Sequence, residues 1–152
     1  MKAIIQRVSS ATVSVDGGVV GSVGQGFLIL LGVQTGDTDK EAELLARKTA
    51  ALRVFCDEND KMNMSLLDIG GEALVVSNFT LCADVKKGNR PSFINAMEPH
   101  GADRLYHYYC DCLKQCGIDK VETGEFGADM TLGITAIGPV TITLDTDIWS
   151  KQ

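Results

Sequence analysis

Residues 131–147, TLGITAIGPVTITLDTD, alternate between two sets of side chains. Leu132, Ile134, Ala136, Val140, Ile142 and Leu144 fall on one; Thr135, Thr141, Thr143 and Asp145 fall on the other. That period of two predicts a strand with one buried face. Gly138-Pro139 interrupts it at a place where neither residue is favoured, because proline cannot donate to the ladder and glycine packs nothing. The alternation nevertheless stays in phase on both sides.

The first third of the chain also reads as strands joined by tight turns. ATVSVD, residues 11–16, meets VVGSV across Gly17-Gly18, a hairpin signal. FLILLGV, residues 27–33, is a continuous apolar run flanked by glycines and predicts a buried strand. The period then changes. Thr38-Asp39-Lys40-Glu41 has the capping-box pattern, and Ala42, Leu45, Ala46, Thr49 and Leu52 share one helical face that Leu44 leaves. LRVF reads as a strand, DENDK as an exposed turn and EALVVSNFTL, residues 72–81, as a further strand. A second helix is expected over 101–116, with Ala102, Leu105, Tyr106, Tyr109, Cys112, Leu113 and Cys116 on its inner face and Gly117 at its C-terminal cap. From Lys120 onward the pattern is strand and loop. The fold class expected is α/β: one domain over 1–152, with a mainly antiparallel, barrel-like sheet packed by two main helices.

Composition narrows the function classes. A chain of 152 residues, 45% hydrophobic and 22% charged, matches an ordinary soluble globular domain. No run approaches membrane-spanning length and the N-terminus has no leader pattern, so the cytoplasm is the expected compartment and no membrane partner is expected. Five cysteines fit a reducing compartment, and CDCLKQC places its thiols as small hydrophobes rather than as a metal set. The net charge of −6 argues against a broad nucleic-acid coat. One compact basic run stands against that balance: KKGNRP, with Lys86, Lys87 and Arg90.

The usual catalytic toolkits are absent. There are two histidines, His100 just before the second expected helix and His107 on its outer face. No G-x-S-x-G elbow, H-E-x-x-H, phosphate loop or paired C-x-x-C occurs, and GSVGQGF precedes a strand rather than a helix. The chemistry-bearing segment is VVSNFTL. On a strand, Leu74 and Val76 share a face with Asn78 and Thr80, so that face turns from apolar to hydrogen-bonding at its end. An amide and a hydroxyl there either orient a polar ligand or mark a strand emerging into solvent.

Taken in order, these segments resemble the D-aminoacyl-tRNA deacylase family over nearly the whole chain. MKAIIQRVSSATVSVDGGVVGSVGQGFLILLGV is similar to its N-terminal hairpin and strand, KMNMSLLDIGGEALVVSNFTL to its central segment, RPSF to its basic loop, and ETGEFGADM with GPVT to its C-terminal half. The resemblance implies a homodimeric hydrolase that cleaves the ester between a D-amino acid and the 3′-terminal adenosine of tRNA, rejects the L-substrate, also clears mischarged glycine, and uses no cofactor or metal. It implies catalytic roles for Ser77, Asn78, Phe79 and Thr80, with backbone N–H groups near Phe79 and Thr80 stabilising an oxyanion. It further implies chiral selection in trans across the dimer by Gly138, Pro139, Val140 and Thr141 around a cis Gly-Pro peptide whose carbonyls face the substrate. Lys86, Lys87 and Arg90 become tRNA contacts; Phe126, Ala128 and Met130 an adenosine pocket.

Two mechanisms stay open: attack by Thr80, which needs a base, or attack by water with the adenosine 2′-hydroxyl managing protons. Two other classes also stand, a non-catalytic nucleic-acid-binding module and a broad small-ester hydrolase. The chain departs from the family twice. Asn78 stands where glutamine is usual, and Ala136 where an asparagine commonly precedes the Gly-Pro pair by two residues.

Overall fold

Asp16 and Gly17 take positive φ, 51° and 80°, and fold β1 (Lys2–Val15) back onto β2 (Gly18–Val23), as the Asp-Gly-Gly joint predicts. A computed structural model of the chain describes residues 1–150. The apolar run becomes β3 (Gly26–Gly32), followed by α1 (Asp39–Ala51) behind its Thr38 capping box. Two short strands, β4 (Phe55–Cys56) and β5 (Met62–Met64), pair with each other around the DENDK turn. Then come β6 (Glu72–Ser77), α2 (Pro99–Gln115), β7 (Val121–Thr123), β8 (Thr131–Asp145) and the short α3 (Asp147–Ser150).

The main sheet runs β2-β1-β3-β6-β7, with β8 on the other edge of β1. All pairings of β1 are antiparallel, whereas β3–β6 and β6–β7 are parallel, so the sheet is mixed. Its ends meet: a Cβ added at Gly21 of β2 would lie 2.6 Å from the Thr123 carbonyl oxygen of β7. Only glycine lets the backbones approach so closely, and the sheet nearly closes into a barrel.

Both faces of the central strands are therefore covered. Phe27, Ile29, Leu31, Ala73 and Val75 pack under α1 and α2 against Leu45, Leu105, Tyr106 and Tyr109. Leu28, Leu74 and Val76 point the other way, into the barrel interior with Val8, Ala11, Val13 and Val23. Burial on two sides explains why the FLILLGV run lacks alternation. The helices follow their sequence signals. Ala42, Leu45, Ala46, Thr49 and Ala50 are the buried face of α1, and α2 ends in a paired motif in which Ile118 N–H donates to Leu113 O and Gly117 N–H to Lys114 O. α2 begins earlier than the periodicity implied, because Pro99 occupies its first turn and Glu98 caps it, so His100 lies inside the helix. LRVF contributes only Phe55 to a strand, which Cys56 completes.

The β8 expectation needs correction. Of the alternating set, only Leu144 is buried; Leu132, Val140 and Ile142 are half-buried, Ala136 is exposed and Ile134 is 43% exposed. Leu144, Ile142 and Val140 reach the helix-covered core, while Ile134 lies on a stretch with nothing packed outside it. Cys82, Cys110 and Cys112 are buried as expected of small hydrophobes, and burial pushes the Cys110 thiol up to about 12. Among the described residues no helix is long and apolar enough to cross a membrane.

One buried polar pair joins the two helices. Thr49 Oγ1 donates to Leu45 O at 2.8 Å and therefore accepts from the Tyr109 hydroxyl at 2.9 Å. Deleting the donor leaves Thr49 satisfied; deleting the acceptor strands a buried hydroxyl. Tyr109→Phe is expected to cost about 1 kcal/mol and Thr49→Val about 2 kcal/mol in urea unfolding, in that order.

Candidate active site

The expected strand over 72–81 stops at Ser77. Ser77 pairs with Leu31 of β3, and Asn78 N–H makes the last bond along that edge, to Leu31 O at 2.8 Å. The chain then turns into a single 3-10 turn, Phe79–Cys82. Buried Cys82 anchors its end, with the thiol donating to Val33 O at 3.5 Å. Asn78 and Thr80 thus do not continue the strand face of Leu74 and Val76. They meet instead across the turn, where the Thr80 hydroxyl donates to Asn78 Oδ1. The first bond of the turn runs from Leu81 N–H to Asn78 O at 3.3 Å, so the Phe79 and Thr80 amides precede it and make no bond within the turn.

That turn forms one wall of a cavity of about 720 Å³ at the end of the barrel interior. Ser77, Asn78 and Phe79 line it, as do Phe126, Ala128 and Met130, so two groups distant in sequence share one cavity. Phe126 is held by Tyr106 of α2, ring centroids 6.1 Å apart. The third wall is the segment before α2, containing Phe93, Ala96, Met97 and Glu98. It is tied down by Met97 N–H to Val33 O at 3.0 Å. Leu30, Val76 and Leu132 supply an apolar floor continuous with the barrel interior.

Several expected residues lie elsewhere. Thr80 is exposed and does not line the cavity; Lys86, Lys87 and Arg90 sit on an exposed loop beyond its rim. Gly138, Pro139, Val140 and Thr141 are not part of the lining either. The Gly138–Pro139 peptide is cis. Gln6 faces Thr141 and Val8 faces Ala136, so residues 137–140 bulge out opposite Arg7 alone. A bulge on a sheet edge is where a strand tolerates proline; four residues opposite one put the faces out of phase, and a second irregularity, with Ser9 of β1 opposite none, brings them back.

Arg7, which the sequence reading passed over, braces this bulge. Its Nε donates to Ile137 O at 3.2 Å and its Nη1 to Val54 O at 2.7 Å. The bulge is thus braced through a backbone carbonyl. The only signal was a lone cation in an otherwise apolar strand, AIIQRV. Glu98 was missed too. It accepts from His100 N–H at 2.9 Å and Gly101 N–H at 2.5 Å, and Pro99 after it marked the helix start.

The site holds no conventional acid–base pair. His107 bonds Asp103 on the exposed side of α2, its Nδ1 2.9 Å from the carboxylate, and neither histidine lines the cavity. Thr80 gives its proton to an amide oxygen, which is no base. What the cavity offers is apolar enclosure with Ser77, Asn78 and Phe79 at its edge.

A model of the D-Tyr-tRNA(Tyr) deacylase family matches residues 4–145. The chain belongs to that family. It is 54% identical over 151 residues to the D-aminoacyl-tRNA deacylase of Roseiflexus castenholzii, spanning 99% of this chain and 96% of that one. It is 55% identical over 145 residues to the D-aminoacyl-tRNA deacylase of Thermomicrobium roseum, spanning 95% and 94%. Among solved structures, the c-Myc DNA Unwinding Element Binding Protein superposes with a TM-score of 0.90 at 41% identity, covering 95% of this chain and 98% of its own. Family membership accounts for the order of the segments.

Charge-assisted hydrogen bonds contribute about 1.5–3 kcal/mol each. Arg7→Ala is therefore expected to speed amide exchange at Gly138, Val140 and Thr141 about ten-fold or more, read by hydrogen–deuterium exchange. Unchanged exchange would show that the bulge is held by something else.

Proposed function

We propose that this chain hydrolyses the ester linking a D-amino acid, or glycine, to the 3′-terminal adenosine of tRNA, and rejects the L-substrate. The observation that carries the reading is a tight turn whose Phe79 and Thr80 amides make no bond within it, with Phe79 at the edge of an apolar cavity large enough for a nucleoside. An attacked ester carbonyl becomes an oxyanion, and one preorganised N–H donor lowers such a barrier by about 3–4 kcal/mol. Phe126, Ala128 and Met130 enclose the adenosine in this reading. Ser77 and Asn78 orient the ribose and ester end.

Water is the nucleophile. Thr80 has an amide oxygen as its hydrogen-bond partner, so nothing activates its hydroxyl for attack, and its part is to hold the Asn78 amide. The adenosine 2′-hydroxyl, adjacent to the scissile ester, shuttles the proton. A small ester without adenosine lacks both the enclosure and the shuttle and is a poor substrate.

The bulge belongs to the partner's site in a homodimer. Ile134 and Ile137 are each 43% exposed on an edge strand that, among the described residues, pairs only with β1. Apolar side chains on an open edge are covered when a second copy packs there. The exposed Gly138 and Pro139 backbone then faces the neighbouring cavity, where main-chain acceptors receive the substrate ammonium. The same backbone occupies the space an L side chain needs. A wall of this kind cannot reject glycine. Lys86, Lys87 and Arg90 contact tRNA, and a tRNA substrate fits a cytoplasmic protein.

A second reading, nucleic-acid binding without turnover, is favoured by the 41%-identical neighbour, whose name is that of a DNA-binding protein. Incubation with D-Tyr-tRNA and L-Tyr-tRNA separates the two. Turnover of the D-ester alone is expected; retention of both without release would overturn the proposal. Asn78→Gln is expected to preserve or raise that turnover, and its abolition would contradict the orienting role of the amide. Ile134→Asp is expected to give a monomer by sedimentation and to lower kcat/KM about a hundredfold, since the substrate loses part of its cradle.

A further inference from the structure

Phe79 and Phe93 meet edge to face at the cavity mouth, ring centroids 5.0 Å apart and planes at 73°. They are 56% and 39% exposed, so the pair faces solvent as well as the cavity. Phe93 directly follows the bridge between Asp84 and Ser92, whose two backbone bonds of 2.7 and 2.9 Å close the intervening loop. That loop carries Lys86, Lys87 and Arg90, all exposed. Apolar surface and clustered cations are therefore neighbours on a chain of net charge −6.

Core packing explains neither feature. A protein partner would cover the aromatic pair but would not call for three cations beside it. A single-stranded nucleic acid uses both, because every base has a face that stacks on an aromatic ring and every linkage carries a phosphate. The surface is also continuous with the cavity through Phe79 and Phe93 themselves.

We infer that Phe79 and Phe93, with Lys86, Lys87 and Arg90, dock the unpaired 3′ tail of the RNA substrate. The base before the terminal nucleoside stacks on the aromatic pair, and the phosphates upstream run along the basic loop. This rests on the reading that the cavity holds the terminal adenosine. Contact with the tail then makes the enzyme favour a polynucleotide ester over a mononucleoside ester without reading its sequence.

The test compares D-Tyr-tRNA with the D-tyrosyl ester of adenosine alone. In Phe93→Ala the ratio of kcat/KM for the two esters is expected to fall about ten-fold in disfavour of the tRNA, and Phe93→Trp to restore it. Replacing Lys86, Lys87 and Arg90 together by alanine is expected to flatten the slope of log KM against log salt by about 2 for the tRNA ester. By direct titration, a CCA trinucleotide is expected to bind wild type about ten-fold more tightly than adenosine, and Phe93→Ala with no such advantage. Equal loss on both esters would overturn the inference, as would conversion of Phe93→Ala to a monomer. Wild type that hydrolyses neither ester would overturn the deacylase reading instead, and the trinucleotide titration would still decide the docking surface.

Discussion

Strand β1 is hydrogen-bonded along both edges, to β8 on one side and to β3 and then β2 on the other. Where β1 is paired on both sides, as around Arg7, it cannot loop out and irregularity falls on its neighbour; its own extra residue, Ser9, sits where the pairing passes from β3 to β2. β8, bound on one edge only, absorbs the irregularity at Arg7: residues 137–140 leave the ladder together and the pairing resumes on the far side. The β1–β8 pairing thus sets where the Gly138-Pro139 backbone projects. Arg7, pinned to Val54 O behind it, sets how firmly.

The same strand organises the site at the other end of the sheet. Because β1 pairs with β3, and β3 pairs in parallel with β6, the end of β6 arrives next to Leu31 and Val33 with both faces already buried. A strand leaving such an environment has no free room to continue, and a 3-10 turn anchored by Cys82 takes over. Tight turns leave their first amides unpaired. In this protein the turn borders an apolar cavity whose remaining walls come from before α2 and after β7.

In the proposed reaction, catalytic power lies in backbone groups rather than in titrating side chains. That is consistent with a site whose side chains are mostly hydrocarbon and whose threonine is occupied by an amide oxygen. Backbone donors are rigid, need no pKa adjustment and cannot be removed by a single substitution. They depend instead on the packing that fixes the turn, which links the stability of the β3–β6 edge to function.

Much of this was legible in the residues. The turn at Asp16-Gly17, the Thr38 capping box, the inner faces of both helices and the doubly buried β3 all depend on local geometry and periodicity, which a sequence carries directly. The ordered segments also carried the family, and Ser77, Asn78, Phe79, Phe126, Ala128 and Met130 did converge on one cavity. Other features were decided only in three dimensions. The strand through SNFTL was misread because β-propensity says nothing of the neighbours that block its path. Ile134 was read as buried because alternation reports which side chains share a face, not what covers that face. Arg7 could not be found because its partners, Val54 and Ile137, are remote in sequence and act through carbonyls common to every residue. The sequence by itself determined which elements form and which residue types face inward. The tertiary structure decided which backbone groups stay free, since hydrogen-bond satisfaction depends on the whole set of neighbours at once.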